Sequence, residues 1–164
     1  SHMNALDYDP EEDAYYLGSR HLHTLYKIDR ASGDVLWRLG GDQSDFATSN
    51  DPPFSCQHQF EAHGDHVLVF DNSCPDVQQS RVTELSLDLD SWTADEVWSH
   101  DPDPGIWSYG FGDVSRLPSD NTLITWSTAG RIDEVAPDGE VVWSLFEELG
   151  GGFGYTTWRR TLYE

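Results

Sequence analysis

The stretch YKIDRASGDVLWRLG (residues 26–40) has a second version in the same chain, DEVAPDGEVVWSLFE (133–147). In both, an extended run carries an acidic residue near its end, a glycine turn follows, and a tryptophan comes four residues after the glycine, at Trp37 and Trp143. A degenerate third version, ELSLDLDSWTADEVWSH (84–100), contains Trp98. This pattern indicates a β-hairpin that recurs along the chain.

The spacing of the three tryptophans predicts a β-propeller. The Trp-to-Trp intervals are 61 and 45 residues, and a unit near 45 residues with about four short strands is typical of a propeller blade. The loop 41–53 explains the longer interval. No long segment has helical periodicity, and turn sequences such as PSDN (118–121) separate short β-rich runs. We therefore expect an all-β fold in which each tryptophan closes an outer hairpin and packs against the next blade.

The repeat divides the single domain, residues 1–164, into about three four-stranded blades. Their expected limits are 2–40, 54–100 and 105–147, and YTTWRRTLY (155–163) is left over as a closing strand. The candidate innermost strands are MNALDY (3–8), CQHQFEA (56–62), YGFGDVSRL (109–117) and the closing strand itself. A propeller closes with about four to eight blades, so these three belong to a larger propeller or chains associate to complete a ring.

The charge of the chain limits its partners. The formal net charge is −21, from 30 acidic and nine basic residues, and Lys27 is the one lysine. Such a surface repels nucleic acids and anionic membranes, which we exclude as partners. A high-salt environment, where ions screen the self-repulsion, fits this composition, and an ordinary acidic protein is the alternative. No stretch approaches the roughly 18 apolar residues of a membrane span, and the sequence fits a cytoplasmic or an exported protein.

The stretch FSCQHQF (54–60) reads as a half-buried strand. One face carries Phe54, Cys56, His58 and Phe60, and the polar face carries Ser55, Gln57 and Gln59. By this pattern alone, His58 is a core histidine, a metal ligand or a reactive group. Cys56 is about 6.6 Å from His58 along such a face, which is too far for a Cys–His nucleophile pair. Cys56 is then a small packing residue or half of a disulfide with Cys74, although two cysteines do not constitute a disulfide framework.

Several of these stretches together resemble the arylsulfotransferase family of six-bladed propellers. The resemblance rests on SRHLHTLYKIDRASGDVLWRLGG (19–41), FSCQHQF (54–60) and VFDNS (69–73), and GDVSRLPSDNTLITWSTAGRIDEVAPDGEVVW (112–143) is similar to the following blade of that family. It implies that the chain matches the C-terminal half of a member. It also implies transfer of a sulfuryl group between phenols through a sulfohistidine.

The resemblance assigns roles to individual residues. The QH pair implies that His58 is the nucleophile, and SRH implies that Arg20 binds the sulfate. HMN (2–4) matches a family motif and makes His2 a further catalytic candidate and Asn4 a substrate-binding one. SHM is also what a common cloning vector leaves before a native sequence, so His2 has two alternative origins. The chemistry needs no metal or other cofactor, and the partner is a small phenolic sulfate or phenol.

Alternatives stay open beside these assignments. Arg20 at the end of an apolar strand is also explained by a surface ion pair, and His21 and His23 lie two apart without an evident third metal ligand. The whole chain is alternatively a non-catalytic acidic module for binding or assembly. In either case, we expect a second copy of the chain, or a companion N-terminal fragment, to complete the propeller.

Overall fold

Three antiparallel sheets account for most of the computed structural model, which describes residues 2–161. Blade 1 runs outward in chain order through β1 (Met3–Asp9), β2 (Ala14–Ser19), β3 (Thr24–Asp29) and β4 (Val35–Leu39). Blade 3 has the same order in β10 (Asp113–Arg116), β11 (Thr122–Trp126), β12 (Arg131–Val135) and β13 (Val141–Phe146). Short 3₁₀ turns follow the second strand of each of these blades, at Arg20–Leu22 and Ser127–Ala129.

Blade 2 has a fifth strand. Its antiparallel meander contains β6 (Phe60–His63), β7 (His66–Asp71), β8 (Arg81–Asp88) and β9 (Thr93–His100), and β5 (Ala47–Thr48) pairs in parallel with β9 at the outer edge. The loop 41–53 is therefore not only a spacer, because its short strand extends blade 2. The three sheets confirm the expected all-β propeller fold.

Two apolar layers hold the blades together. The layer between blades 1 and 2 contains Tyr16, Leu25, Trp37, Leu39, Phe46, Phe54, Phe60, Val67, Val69 and Leu85. The layer between blades 2 and 3 contains Leu68, Phe70, Val82, Val114, Ile124, Trp126 and Val135. Removing these side chains from water is the main force that fixes one blade against the next.

The three tryptophans of the repeat have different surroundings in the three blades. Trp37 is 5 % exposed because it packs edge-on against Tyr16 and Phe46. The indole nitrogen of Trp98 donates a hydrogen bond to the Pro137 carbonyl of blade 3 at 3.0 Å. Trp143 is 47 % exposed, since no sheet among the described residues covers the far side of blade 3.

Two expected strands are wrong. Residues 54–59 form an irregular segment, and β6 begins only at Phe60, because contacts to Asp71 and Cys74 replace strand pairing before that point. The closing strand is absent over residues 155–161, where the chain has no strand conformation, although Thr156 contacts blade 3 through Asp113 and Thr125. Residues 162–163 of that expected strand lie outside the described part of the chain.

Within residues 2–161, the structure contains no helix of the length and apolar character that crossing a membrane requires.

Candidate active site

His58 lies at the end of an irregular segment that is tied to the next strand. The main-chain N–H of Ser55 donates to Asp71 Oδ1 at 3.0 Å, and the N–H of His58 donates to the Phe70 carbonyl at 3.2 Å. Cys56 has a φ of 52° and forms a disulfide with Cys74, which settles the open question of the two thiols. This bridge and the hydrogen bonds fix the chain just before the histidine.

The His58 imidazole is held between blades 2 and 3. Its ring is 6 % exposed, its Nδ1 lies 2.8 Å from Oδ1 of Asn72, and its centroid is 6.2 Å from that of Phe111. Burial lowers the pKa of His58 and the nearby Arg20 charge lowers it further, while the hydrogen bond to Asn72 opposes these effects. The ring is therefore neutral at pH 7, and a neutral imidazole has a free lone pair for attack.

Arg20 is positioned beside this ring by the turn that follows β2. Its main-chain N–H donates to the carbonyl of His2 at 2.8 Å, and its Nη2 lies 3.5 Å from the Tyr109 carbonyl, at the limit of a hydrogen bond. Six of the nine basic side chains form ion pairs with carboxylates, namely Lys27, Arg30, Arg38, Arg81, Arg116 and Arg131. Arg20 has none among residues 2–161, so the surface ion pair that would explain it otherwise is absent.

His2 and Asn4 lie on the same side of the site as Arg20. The His2 ring centroid is 6.4 Å from that of His58 and 5.0 Å from that of His21. Asn4 Nδ2 donates to the Gln57 carbonyl at 2.8 Å. The structure thus brings together all four residues that the sequence singled out, and it places Asn4 against the segment that carries His58.

Gln57 differs from its expected position. The strand pattern placed it on a polar face, but the side chain is fully buried, and its Nε2 donates to the carbonyls of Ser19 and Thr24 at 3.1 and 3.2 Å. Because these carbonyls flank the turn of Arg20, Gln57 joins the arginine and histidine segments. The glutamine of the QH pair is a structural link between the two candidate catalytic groups.

An exposed aromatic surface borders His58, and sequence reasoning did not identify it. We call it the aromatic rim: Tyr109, Phe111 and Tyr155 are each about half exposed, and the rings of Phe111 and Tyr155 are 6.0 Å apart. Gly112 allows this arrangement, since its φ is 110° and a Cβ there would lie 2.2 Å from the Phe70 ring. The glycine pattern in YGFGD (109–113) was the available signal.

His23 has a structural role next to this site. Ligand atoms of His23, Cys56 and Cys74 lie within 4.8 Å of one another, which is metal-site spacing. However, the sulfur atoms are bonded to each other, and a metal would need them as thiolates. His23 Nδ1 accepts the N–H of Cys56 at 2.9 Å, so its role in this structure is to hold the disulfide segment.

The sequence profile of the arylsulfotransferase (ASST) family matches residues 1–148. The chain belongs to the arylsulfotransferase family. This match covers all three blades and every candidate residue from His2 to Tyr109 and Phe111, and it confirms the family that the sequence resembles. A search of curated protein sequences gives no significant match to this arylsulfotransferase-family chain.

Solved structures that resemble this arylsulfotransferase-family chain support the fold alone. The β-propeller domain of Cps50 (Swd1) from Myceliophteria thermophila aligns with a TM-score of 0.60 at 13 % identity, over 93 % of this chain and 45 % of that one. A protein of unknown function from Bacteroides caccae aligns with a TM-score of 0.57 at 12 % identity, over 96 % and 50 % respectively. The chain spans about half the length of these structures.

Loss of the disulfide is expected to weaken the fold around the candidate site. The bridge closes a loop of 18 residues, so replacing Cys56 and Cys74 by serine should reduce the free energy of unfolding by about 3 kcal/mol. Urea denaturation of the oxidised protein, the thiol-reduced protein and the double variant measures this effect. Equal stability of all three would contradict it, and reduction should have no effect on the double variant.

Proposed function

We propose that this site transfers a sulfuryl group between phenolic compounds through a sulfohistidine on His58. The observation that carries the proposal is that the Arg20 guanidinium, which has no carboxylate partner among residues 2–161, is near enough to the buried His58 imidazole to lower its pKa, in a chain of net charge −21. An arginine left without a carboxylate in such a chain suits an anionic ligand. Its planar fork can bind two sulfate oxygens at once and keeps its charge at every working pH.

The proposed reaction has two half-steps. The lone pair of His58 attacks the sulfur of an aryl sulfate, an N–S bond forms, and the S–O bond to the aryl group breaks with the electron pair on the phenolate. The oxygen of an acceptor phenol then attacks the same sulfur, loses its proton, and breaks the N–S bond. As in phosphoryl transfer, positioning and stabilisation of the peripheral oxygens carry most of the catalysis.

His2 is the proposed proton carrier. Imidazole donates and accepts protons near neutral pH, and the His2 ring lies 6.4 Å from His58, which leaves room for a phenolic oxygen between them. His2 protonates the departing phenolate in the first half-step. It then takes the proton of the acceptor phenol in the second, so the protons balance over one cycle.

The aromatic rim is the proposed binding surface for the aryl group. Phe111 lies closest to His58, and the half-exposed rings of Tyr109 and Tyr155 flank it. Aromatic pairs with centroids about 4.5–7 Å apart stabilise a complex beyond the apolar area that they bury. On this proposal, the site should prefer phenolic over aliphatic sulfates.

The test is transfer from 4-nitrophenyl sulfate to phenol. Nitrophenolate release that rises with phenol concentration, with phenyl sulfate as the second product, supports the proposal. Release of inorganic sulfate without phenyl sulfate would identify a hydrolase instead. The assay includes an aliphatic sulfate of similar size, which should be a poor donor because it cannot stack on the aromatic rim.

A second proposal concerns assembly, because two outer faces of the three blades are apolar and uncovered. Blade 1 exposes Leu6, Tyr8 and Leu36, and blade 3 exposes Trp143 and Phe146. Blades bury such faces against neighbours, so we infer that two copies of this chain associate head to tail into a ring of six blades. This assembly role is the alternative to catalysis if no transfer is found.

Association of two copies should depend on salt. Each chain carries a formal charge of −21, and at low ionic strength repulsion opposes the burial of the apolar faces. Sedimentation at micromolar protein concentration should give a dimer in molar KCl and a larger monomer fraction in low salt. A compact monomer under both conditions would contradict the inference, and a companion fragment would appear as a second mass in the sample.

A further inference from the structure

Asn72, in the VFDNS stretch (69–73), uses every polar atom of its side chain. Its amide is fully buried, and Nδ2 donates to the carbonyls of Ser108 and Phe111, each at 2.7 Å. A carbonyl oxygen only accepts hydrogen bonds, so these two contacts require the nitrogen of the amide to face them. The oxygen Oδ1 must then face Nδ1 of His58, 2.8 Å away.

This orientation determines which nitrogen of His58 carries the proton. Oδ1 of an amide is an acceptor, so the hydrogen of a neutral His58 must be on Nδ1. In this tautomer Nε2 carries the lone pair of the ring. The main chain of Cys56 also lies near the imidazole and acts to raise the pKa of His58, against the larger lowering by burial. We propose that Asn72 is a positioning residue that keeps His58 as the Nδ1–H tautomer, with Nε2 as the atom that receives the sulfuryl group. This inference rests on the proposed function.

The tautomer matters for both half-steps. When Nε2 attacks sulfur and the phenolate leaves with the S–O electron pair, the Nδ1 proton stays on the ring, and the sulfonated imidazole becomes cationic. The hydrogen bond to Asn72 Oδ1 strengthens as this charge develops. When the acceptor oxygen attacks sulfur, the N–S electrons return to Nε2 and restore the neutral ring, so no proton on Nδ1 is gained or lost.

A neutral amide suits this position better than a carboxylate. A carboxylate beside Nδ1 would raise the pKa of His58, protonate the nucleophile near neutral pH and make the histidine a poorer leaving group. The adjacent Asp71 does carry a carboxyl group, but its Oδ1 accepts the N–H groups of both Ser55 and Ser73, and its Oδ2 lies 3.5 Å from Arg81 Nε. The acidic neighbour is thus directed to the loop and the neutral one to the ring.

The backbone around Asn72 is held as firmly as its side chain. Ser80 Oγ donates to the Asn72 carbonyl at 2.9 Å, and the disulfide fixes Cys74 two residues further on. Because the carbonyls of Ser108 and Phe111 belong to the loop before β10, Asn72 also joins the histidine to the segment that carries the aromatic rim. One amide therefore sets the geometry of nucleophile and rim together.

The test is a nitrogen-detected NMR measurement on the full chain with ¹⁵N-labelled histidine at pH 7.5. We expect His58 to show a protonated Nδ1 and an unprotonated Nε2. In Asn72→Ala the tautomer should shift toward Nε2–H, and in Asn72→Asp the His58 pKa should rise by about 1–2 units. Asn121→Ala is the matched control, since Asn121 bonds Glu134 in blade 3 and does not contact His58.

The outcomes separate this inference from the proposed function. A wild-type His58 with the proton on Nε2 would overturn the inference whether or not transfer occurs. This measurement on the wild type also covers the case in which Asn72 variants do not fold. If transfer is found, Asn72→Ala should reduce its rate by about 10²-fold or more, while Asn121→Ala leaves the rate unchanged. An unchanged rate in a folded Asn72→Ala protein would likewise overturn it.

Discussion

Replacing His58 with alanine abolishes sulfuryl transfer, with an expected loss of at least about 10⁴-fold in kcat. The reason is that the variant lacks the atom that forms the covalent intermediate, and the imidazole of His2 is centred 6.4 Å from the missing ring. The fold should remain, since the imidazole contributes one hydrogen bond to Asn72 and a ring contact with Phe111. Donor consumption with 4-nitrophenyl sulfate measures the loss, and circular dichroism checks the fold.

His63→Ala is the matched control for this variant. His63 ends β6, the strand that follows His58, but its side chain is exposed, so its removal should leave transfer unchanged. Transfer that survives in His58→Ala, or that is lost equally in both variants, would remove His58 from the mechanism.

The dependence of the His58 reaction on pH follows from its lowered pKa. Only the neutral ring attacks sulfur, so the rate should rise as the pH passes upward through the His58 pKa. Burial and the Arg20 charge place this rise below the ordinary histidine pKa of 6.5. A rate that still climbs steeply above pH 7.5 would show that the ring is not held neutral as the structure indicates.

Replacing Arg20 is expected to have the second-largest effect on the rate of transfer. Arg20→Ala should reduce kcat by about 10²–10³-fold, because the charge that develops on the sulfuryl oxygens loses its fixed counter-charge. Arg20→Lys should retain part of the activity, since lysine keeps the charge but cannot bind two oxygens in one plane. The variant should also show a higher His58 pKa, as the Arg20 charge lowers it in the wild type.

Arg30→Ala is the control for charge alone. Arg30 is paired with Asp13 at the end of β3 opposite to the turn that carries Arg20, and its loss makes the same change in net charge. If Arg30→Ala and Arg20→Ala reduce kcat equally, the effect comes from the change in net charge of the protein, and Arg20 has no specific contact with sulfate.

Much of the fold could be predicted from the sequence, because it depends on local patterns that recur. The glycine turns and the tryptophans at 37, 98 and 143 mark hairpins, and hairpins are built from neighbouring residues. The resemblance to a family then indicated His58, Arg20, His2 and Asn4, which the structure brings together. The positions of these four side chains relative to one another depend on contacts between blades, which a local sequence pattern does not predict.

The errors came where distant contacts override a local pattern. FSCQHQF alternates like a strand, but Asp71 takes the Ser55 N–H and Cys74 bonds Cys56, so strand pairing starts only at Phe60. YTTWRRTLY also has strand composition, yet residues 155–161 do not form a strand, because composition alone does not make a strand without a neighbouring strand to pair with. Asn72 was inside a quoted motif, but its role became visible only when its three hydrogen-bond partners were in place.

The most direct test of the central claim is the mass of the His58 peptide after brief exposure to an aryl sulfate without acceptor. The protein is quenched at alkaline pH, where a sulfohistidine survives better than in acid, and digested for mass spectrometry. We predict that the peptide containing His58 gains the mass of one SO₃ group and loses it when phenol is added before quenching. An unmodified His58 peptide during active transfer, or a modification on another residue, would contradict the account.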